Sequence, residues 1–191
     1  MPRILESIVT TCSADGRVHL APMGVRHVDG HVLLMPFRPS ATLDNILASG
    51  KAVLNLTDDV RVFAGCVTGR RDWPTLALAD GSHRLAGCLA HVPLGLDRQE
   101  DDELRPVLWM APGEQVIHGA FAGFNRAQAA VIEGAVLVSR LGMLPEEKVN
   151  RELAYLQIAI EKTAGAAEDE AWRWLRQAVA EHRAGRRQGA A

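Results

Sequence analysis

The chain has 191 residues, of which 48% are hydrophobic and 23% charged, and a formal net charge of -2. That length holds one domain, or one domain with an appendage; the composition is that of an ordinary soluble globular protein, and the nearly balanced charge gives no hint of nucleic-acid binding. No stretch approaches the roughly 18 uninterrupted apolar residues of a membrane span, and Met1-Pro2-Arg3-Ile4-Leu5-Glu6 has no apolar run of signal-peptide length, so a cytoplasmic protein is expected. Cys12, Cys66 and Cys88 are isolated, with no C-x-x-C pair, which points to buried thiols rather than disulfides or zinc.

The first elements read as strands. Glu6 to Thr11 is β-branched, Ala14-Asp15-Gly16 is a hairpin signal, and Arg17 to Arg26 returns as a second strand. Pro22 and Gly24 interrupt it, and a lapse in pairing is expected there, as an edge bulge or as a kink whose backbone groups meet a ligand. After Asp29-Gly30, His31 to Phe37 runs as a third strand into Arg38-Pro39-Ser40-Ala41-Thr42-Leu43-Asp44-Asn45-Ile46-Leu47-Ala48-Ser49-Gly50.

That stretch organises the chain. Ser40 suits an N-cap, Leu43, Ile46 and Leu47 make one apolar face, and Gly50 stands where a left-handed C-terminal residue belongs. Arg38, the hydroxyls of Ser40 and Thr42, and the free N–H groups of a helix start together suit a phosphate; the same residues also describe a capped surface helix. Lys51 to Thr57 is the next strand, with Asn55 and Thr57 as a polar spot that fits a planar heterocycle or the satisfaction of a strand end.

Val60 to Val67 is a further apolar run, followed from Thr68 to Ser82 by a long loop, of a length usually functional or mobile, whose Trp73 suits a pocket cap or burial in its own domain. Leu85 to Pro93 reads as a strand, Asp97 to Glu103 as a charged solvated loop, and Val107–Met110 and Gln115–His118 as short strand pieces. Six or seven strands with one inserted helix point to an antiparallel barrel. The periodicity changes at Phe121. Asn125 with Gln128 resembles a capping box and opens a helix closing near Gly142; Pro145-Glu146-Glu147 opens a second that stops near Gly165; Trp172, Leu175 and Val179 mark a third. Arg183 to Arg187 reads as a solvated end.

Nucleotide-binding loops, a nucleophile elbow and H-E-x-x-H are all missing, and His19, His27 and His31 lack acidic partners at metal spacing, so no metal and no acid/base pair are expected. The first hairpin, Ala21-Pro22-Met23-Gly24, and Arg38-x-Ser40-x-Thr42-x-x-Asn45-Ile46 together resemble the flavin-reductase-like FMN-binding split barrels. Phe124 to Glu133, Ser139-Arg140-Leu141 and Glu161 to Gly165 resemble the C-terminal region of the DUF447 family, found in archaea and methylotrophic bacteria.

The resemblance and the residues together lead to a split β-barrel over residues 1–120 and a C-terminal α-helical region over 121–185, with the Gly/Ala-rich end, 186–191, expected as a flexible tail. The resemblance implies FMN as cofactor: Arg38, Ser40 and Thr42 on its phosphate, Asn45 in support, Ala21, Pro22, Met23 and Gly24 along the isoalloxazine edge, and Asn55 reaching the ring or ribityl chain. It also implies a homodimer with FMN near the subunit interface, and an oxidoreductase acting on a small molecule. Flavin reductases commonly carry Lys-Asp before the threonine, where this chain has Pro39, Ser40 and Ala41 after Arg38. Two other functions fit the same resemblance, a role in methanopterin-linked one-carbon metabolism and a non-enzymatic flavin-binding or assembly protein.

Overall fold

The computed structural model describes residues 3–188. They divide into two compact units: the chain up to Asp58 with Arg71–Phe121, and Asp59–Arg70 with the chain from Ala122 onward.

In the first unit, β1 (Ile4–Cys12) and β2 (Val18–Val28) form a hairpin whose register runs without a shift from Cys12 opposite Val18 to Ile4 opposite Arg26. Its turn uses the left-handed φ of 81° at Gly16, which glycine adopts without a Cβ clash. After Asp29 and Gly30 come β3 (His31–Leu34), α1 (Ala41–Ser49) and β4 (Lys51–Leu56). A small hairpin follows, β5 (Thr75–Ala77) with β6 (His83–Leu85), then β7 (Ala90–Glu100), β8 (Val107–Pro112) and β9 (Val116–Ile117).

The strands pair antiparallel in the order β4-β1-β2-β3-β8-β7, and β7 pairs back onto β4, closing a six-stranded barrel with β9 added beside β7. Two rows of cross-strand partners show its faces. Val9, Leu54 and Val92 lie side by side and belong to the interior, where Leu43 and Ile46 of α1 join them. Their neighbours Ile8, Asn55 and His91 point the other way, as period-two side chains must, and are buried as well. The β5–β6 hairpin covers the β1 and β4 part of this row, where Thr10 Oγ1 donates to the His83 carbonyl and the Leu85 N–H donates to Asn55 Oδ1 at 2.7 Å, while the His91 ring stacks on His118. Within the loop expected from Thr68 to Ser82, Thr75–Ala77 forms a strand that pairs with β6, and the rest is irregular.

The second unit is helical: α2 (Arg61–Val67), α3 (Arg126–Val138), α4 (Glu146–Thr163) and α5 (Ala166–Gln188). Asn125 caps α3, its Oδ1 accepting from the N–H groups of Ala127 at 2.7 Å and Gln128 at 3.3 Å. The core joins Val60 and Ala64 to Val131, Leu153, Trp172 and Leu175.

A split β-barrel followed by C-terminal helices is therefore the fold, and four local expectations change. The apolar run from Val60 to Val67 is helical, because a short run buried along its length has no periodicity to separate helix from strand. The strand expected over Leu85 to Pro93 starts at Ala90 and continues through Glu100, taking in the first half of the supposed solvated loop. Pairing does not lapse at Pro22, which sits opposite Ile8 within an unbroken β1–β2 ladder. The third helix continues through Arg183 to Gln188, and of the expected tail residues 189–191 lie outside the described residues.

Candidate functional site

The start of α1 is built as its residues dictate. Ser40 is extended, with φ of -158°, and its Oγ accepts the Leu43 N–H at 3.3 Å, while Gly50 closes the helix in the left-handed region and donates to the Ile46 carbonyl at 2.8 Å. Thr42 lies in the first turn with 2% of its surface exposed. Asn45, one turn on, donates from Nδ2 to Thr11 Oγ1 at 3.0 Å and so fastens the helix to β1.

The connection leading into this helix is tied down by the β7–β8 turn. The Arg38 N–H donates to the Leu104 carbonyl at 2.8 Å and its guanidinium to Asp101 at 3.0 Å. From the same turn, Arg105 donates through Nε and an Nη to the Met35 carbonyl, at 3.3 and 3.0 Å, and its guanidinium lies 4.5 Å from the centre of the Phe37 ring. Asp102 shapes the turn by accepting the Arg105 N–H at 2.7 Å and the Leu104 N–H at 2.9 Å; these two donors, with the Arg38 charge, hold its carboxyl below the usual carboxylate range.

Two guanidinium groups therefore flank the approach to a helix N-terminus. Arg38 was visible in the sequence. Arg105 and Asp101 were not, because they lie more than 60 residues away, inside a charged run that reads as solvated surface.

Residues 21–24 lie in mid-β2. Met23 packs onto the cluster that holds Leu43 and Ile46, which brings this stretch and α1 together. The Met23 carbonyl accepts from Ser7 Oγ at 2.9 Å. Gly24 permits a close approach, since a Cβ there would fall 2.8 Å from Ile4 Cγ2. β3 pairs with β2 only from Arg26 to Val28, so on that side residues 21–25 have no strand partner among the described residues. The unpaired backbone expected at the Pro22 kink is present, but along an open edge rather than as a break in the ladder.

Asn55 stands apart from these groups. It is 0% exposed, and Nδ2 donates to the Ile8 carbonyl, Thr10 Oγ1 and the Val53 carbonyl at 3.1 to 3.2 Å while Oδ1 accepts from Leu85. With its donors and acceptor engaged by the protein beneath the β5–β6 hairpin, it joins β1, β4 and β6.

Chemically, a helix start with two hydroxyls and two nearby guanidinium groups suits a phosphate dianion, and an open strand edge offers N–H and C=O groups to a planar heterocycle. Among the described residues no group of three or more His, Cys, Asp or Glu is placed to hold a metal ion, and no helix is long and apolar enough to cross a membrane.

Two family models match the chain. The N-terminal domain of the protein of unknown function DUF447 matches residues 5–119, and the second DUF447 model matches residues 125–177. Among solved structures, an FMN-bound protein of the DUF447 family from Methanosarcina mazei superposes with a TM-score of 0.80 at 19% identity, over 93% of this chain and 96% of that one. The 2-nitrobenzoate 2-nitroreductase of Pseudomonas fluorescens gives 0.52 at 16% identity, over 62% and 66% of the two chains. An FMN-binding protein of Thermus thermophilus with bound 1-cyclohex-2-enone gives 0.51 at 12% identity, over 61% and 71%. At these identities the likeness is one of fold.

Proposed function

The chain belongs to the DUF447 family, and from that premise we propose that it is an FMN-binding flavoprotein whose flavin serves an oxidoreductase reaction on a small molecule. The observation that carries the reading is the start of α1, flanked by Arg38 and Arg105 and packed against the open edge of β2. The FMN-bound relative from Methanosarcina mazei supports it through a shared fold over nearly the whole length of both chains.

The residues present fit the group. Arg38, Ser40 and Thr42 hold the phosphate, with Arg105 as a second cation and Asn45 setting the position of the helix against β1. The backbone of Ala21, Pro22, Met23 and Gly24 borders the isoalloxazine. Bound FMN supplies the hydride or electron transfer. The chain's own part is to neutralise the phosphate charge, orient the ring along the strand edge and exclude water from one side of it. No acid/base pair is needed among the side chains for those tasks.

In this reading the protein is a homodimer, with the second copy covering the open edge of β2 and enclosing the flavin near the subunit interface. A strand edge left bare invites such cover. The test is an absorption spectrum of the purified chain after FMN is added and unbound ligand removed: flavin bands between roughly 350 and 500 nm at about one per chain are expected. A folded, colourless protein overturns the proposal.

A further inference from the structure

We propose, resting on the FMN reading above, that Glu6 is the charged group beside the isoalloxazine and that it lowers the reduction potential of the bound flavin. Its basis is the close approach at Gly24. Glu6 stands directly opposite Gly24 in the β1–β2 ladder, so the two positions share one face of the hairpin. A Cβ on Gly24 would fall 3.4 Å from Glu6 Oε1 and 3.8 Å from Glu6 Oε2. Both carboxylate oxygens therefore lie over the glycine, in space that the side chain of any other residue would take. The Glu6 side chain leans across onto β2, the strand whose far edge is open at residues 21–25.

Distance makes this charge count. A ring hydrogen-bonded to the open backbone edge of residues 21–24 takes the place of a neighbouring strand, about 4.8 Å from β2. A carboxylate over Gly24 is then well inside the Debye length of about 8 Å, and salt screens it only in part. Glu6 is exposed, and exposed carboxylates are ionised at neutral pH. Arg26, the next residue on this face of β2, stands opposite Ile4; the Glu6 oxygens, not its guanidinium, are the charged atoms nearest the Gly24 position.

The sign follows from the charge. Two-electron reduction adds negative charge to the ring unless each electron is matched by a proton, so a fixed carboxylate beside it opposes reduction. A unit charge at about 6 Å, in a medium between protein interior and water, changes an equilibrium by about tenfold. Glu6 thus favours oxidised over reduced flavin by about tenfold, which is about 30 mV for a two-electron couple. Electrons held by the reduced form are given up more readily, a bias that suits reduction of the small-molecule substrate by the flavin.

The test measures the midpoint potential of the FMN-loaded chain and of two variants, by equilibration with a reference dye at about pH 7. E6Q keeps the size of the side chain and removes its charge, and E6K reverses the charge; the position is exposed, so neither disturbs the core. E6Q is expected to raise the potential by about 30 mV, the equivalent of the tenfold change, and E6K to raise it further, with oxidised FMN retained in both. A potential unchanged in both variants, or lowered in either, overturns the assignment and leaves the flavin reading standing. Loss of oxidised FMN from E6Q would make Glu6 a binding residue and overturns it equally. An unsubstituted chain that fails to retain FMN overturns both.

Discussion

Arg38 makes its ion pair with Asp101 in the open, the two side chains being 40% and 75% exposed, so the pair itself contributes only about 0 to 1 kcal/mol. A phosphate offers the same guanidinium a bidentate, doubly charged partner and can displace Asp101 at little cost. R38A is therefore expected to weaken FMN binding by about tenfold or more while leaving riboflavin, which lacks the phosphate, nearly unchanged; fluorescence titration of the two ligands measures the difference. Equal losses for both would place Arg38 away from the phosphate. Asn55 shows the opposite kind of residue. Its polarity in an apolar strand was legible, but its use was not, because the Leu85 N–H that it accepts comes from a hairpin 30 residues on. N55A strips that buried N–H of its acceptor and opens a cavity among buried neighbours, and a loss of about 2 to 4 kcal/mol in urea unfolding is expected. A loss below about 0.5 kcal/mol, the scatter of ordinary surface substitutions, would show that the Asn55 bonds contribute nothing net.

Elements were readable where one residue type settles the local geometry. Ser40 and Gly50 bracket α1, Asn125 caps α3, and the turns at Gly16 and Gly30 lie where their sequences put them. Elements decided by remote burial were not readable: α2 and the second half of β7 take their form from what they pack against or pair with. The crossing of α3 and α5 belongs to this second class. A Cβ on Gly134 would meet Trp172 Cζ3 at 2.8 Å and Leu175 Cδ1 at 3.1 Å. Trp172 cannot withdraw easily, being 4% exposed and held by an Nε1–H donated to Gln157 Oε1 at 2.7 Å. G134A gains about 1 kcal/mol of helix propensity, yet overpacking costs about 1 to 3 kcal/mol, so a net loss of about 1 kcal/mol is expected in the unfolding of the full chain. An unchanged or raised midpoint would mean that the two helices move apart at no cost.

For the whole molecule, the barrel and the helical region were both legible, whereas the assignment of Asp59–Arg70 to the helical unit was not, since Val60 and Ala64 reveal their partners only once α3 and α5 are in place. Stability as a function of pH also belongs to this scale, because it sums groups that no motif marks. His91 is 4% exposed, with its Nδ1 2.8 Å from His118 Nε2, a contact that needs one nitrogen with a proton and one without. Burial, then the neighbouring His118 and Arg84, hold its pKa below the ordinary 6.5; burial and Arg71 do the same for His19. Both rings thus fold in the neutral form, while in the unfolded chain they take up protons as the pH falls below about 6.5. The unfolded state then binds more protons than the native one, so stability rises with pH across this window and is lost on acidification. Urea midpoints are expected to be level above about pH 7.5 and to fall between about pH 6.5 and 5. The carboxylates held below their ordinary 3.8, Asp15, Asp80 and Asp102, lose their contribution only at lower pH, which keeps the two effects apart. H91Q, which has no proton to take up, should reduce the fall between pH 6.5 and 5; an unaltered slope in that variant would move the pH dependence away from the His91–His118 pair.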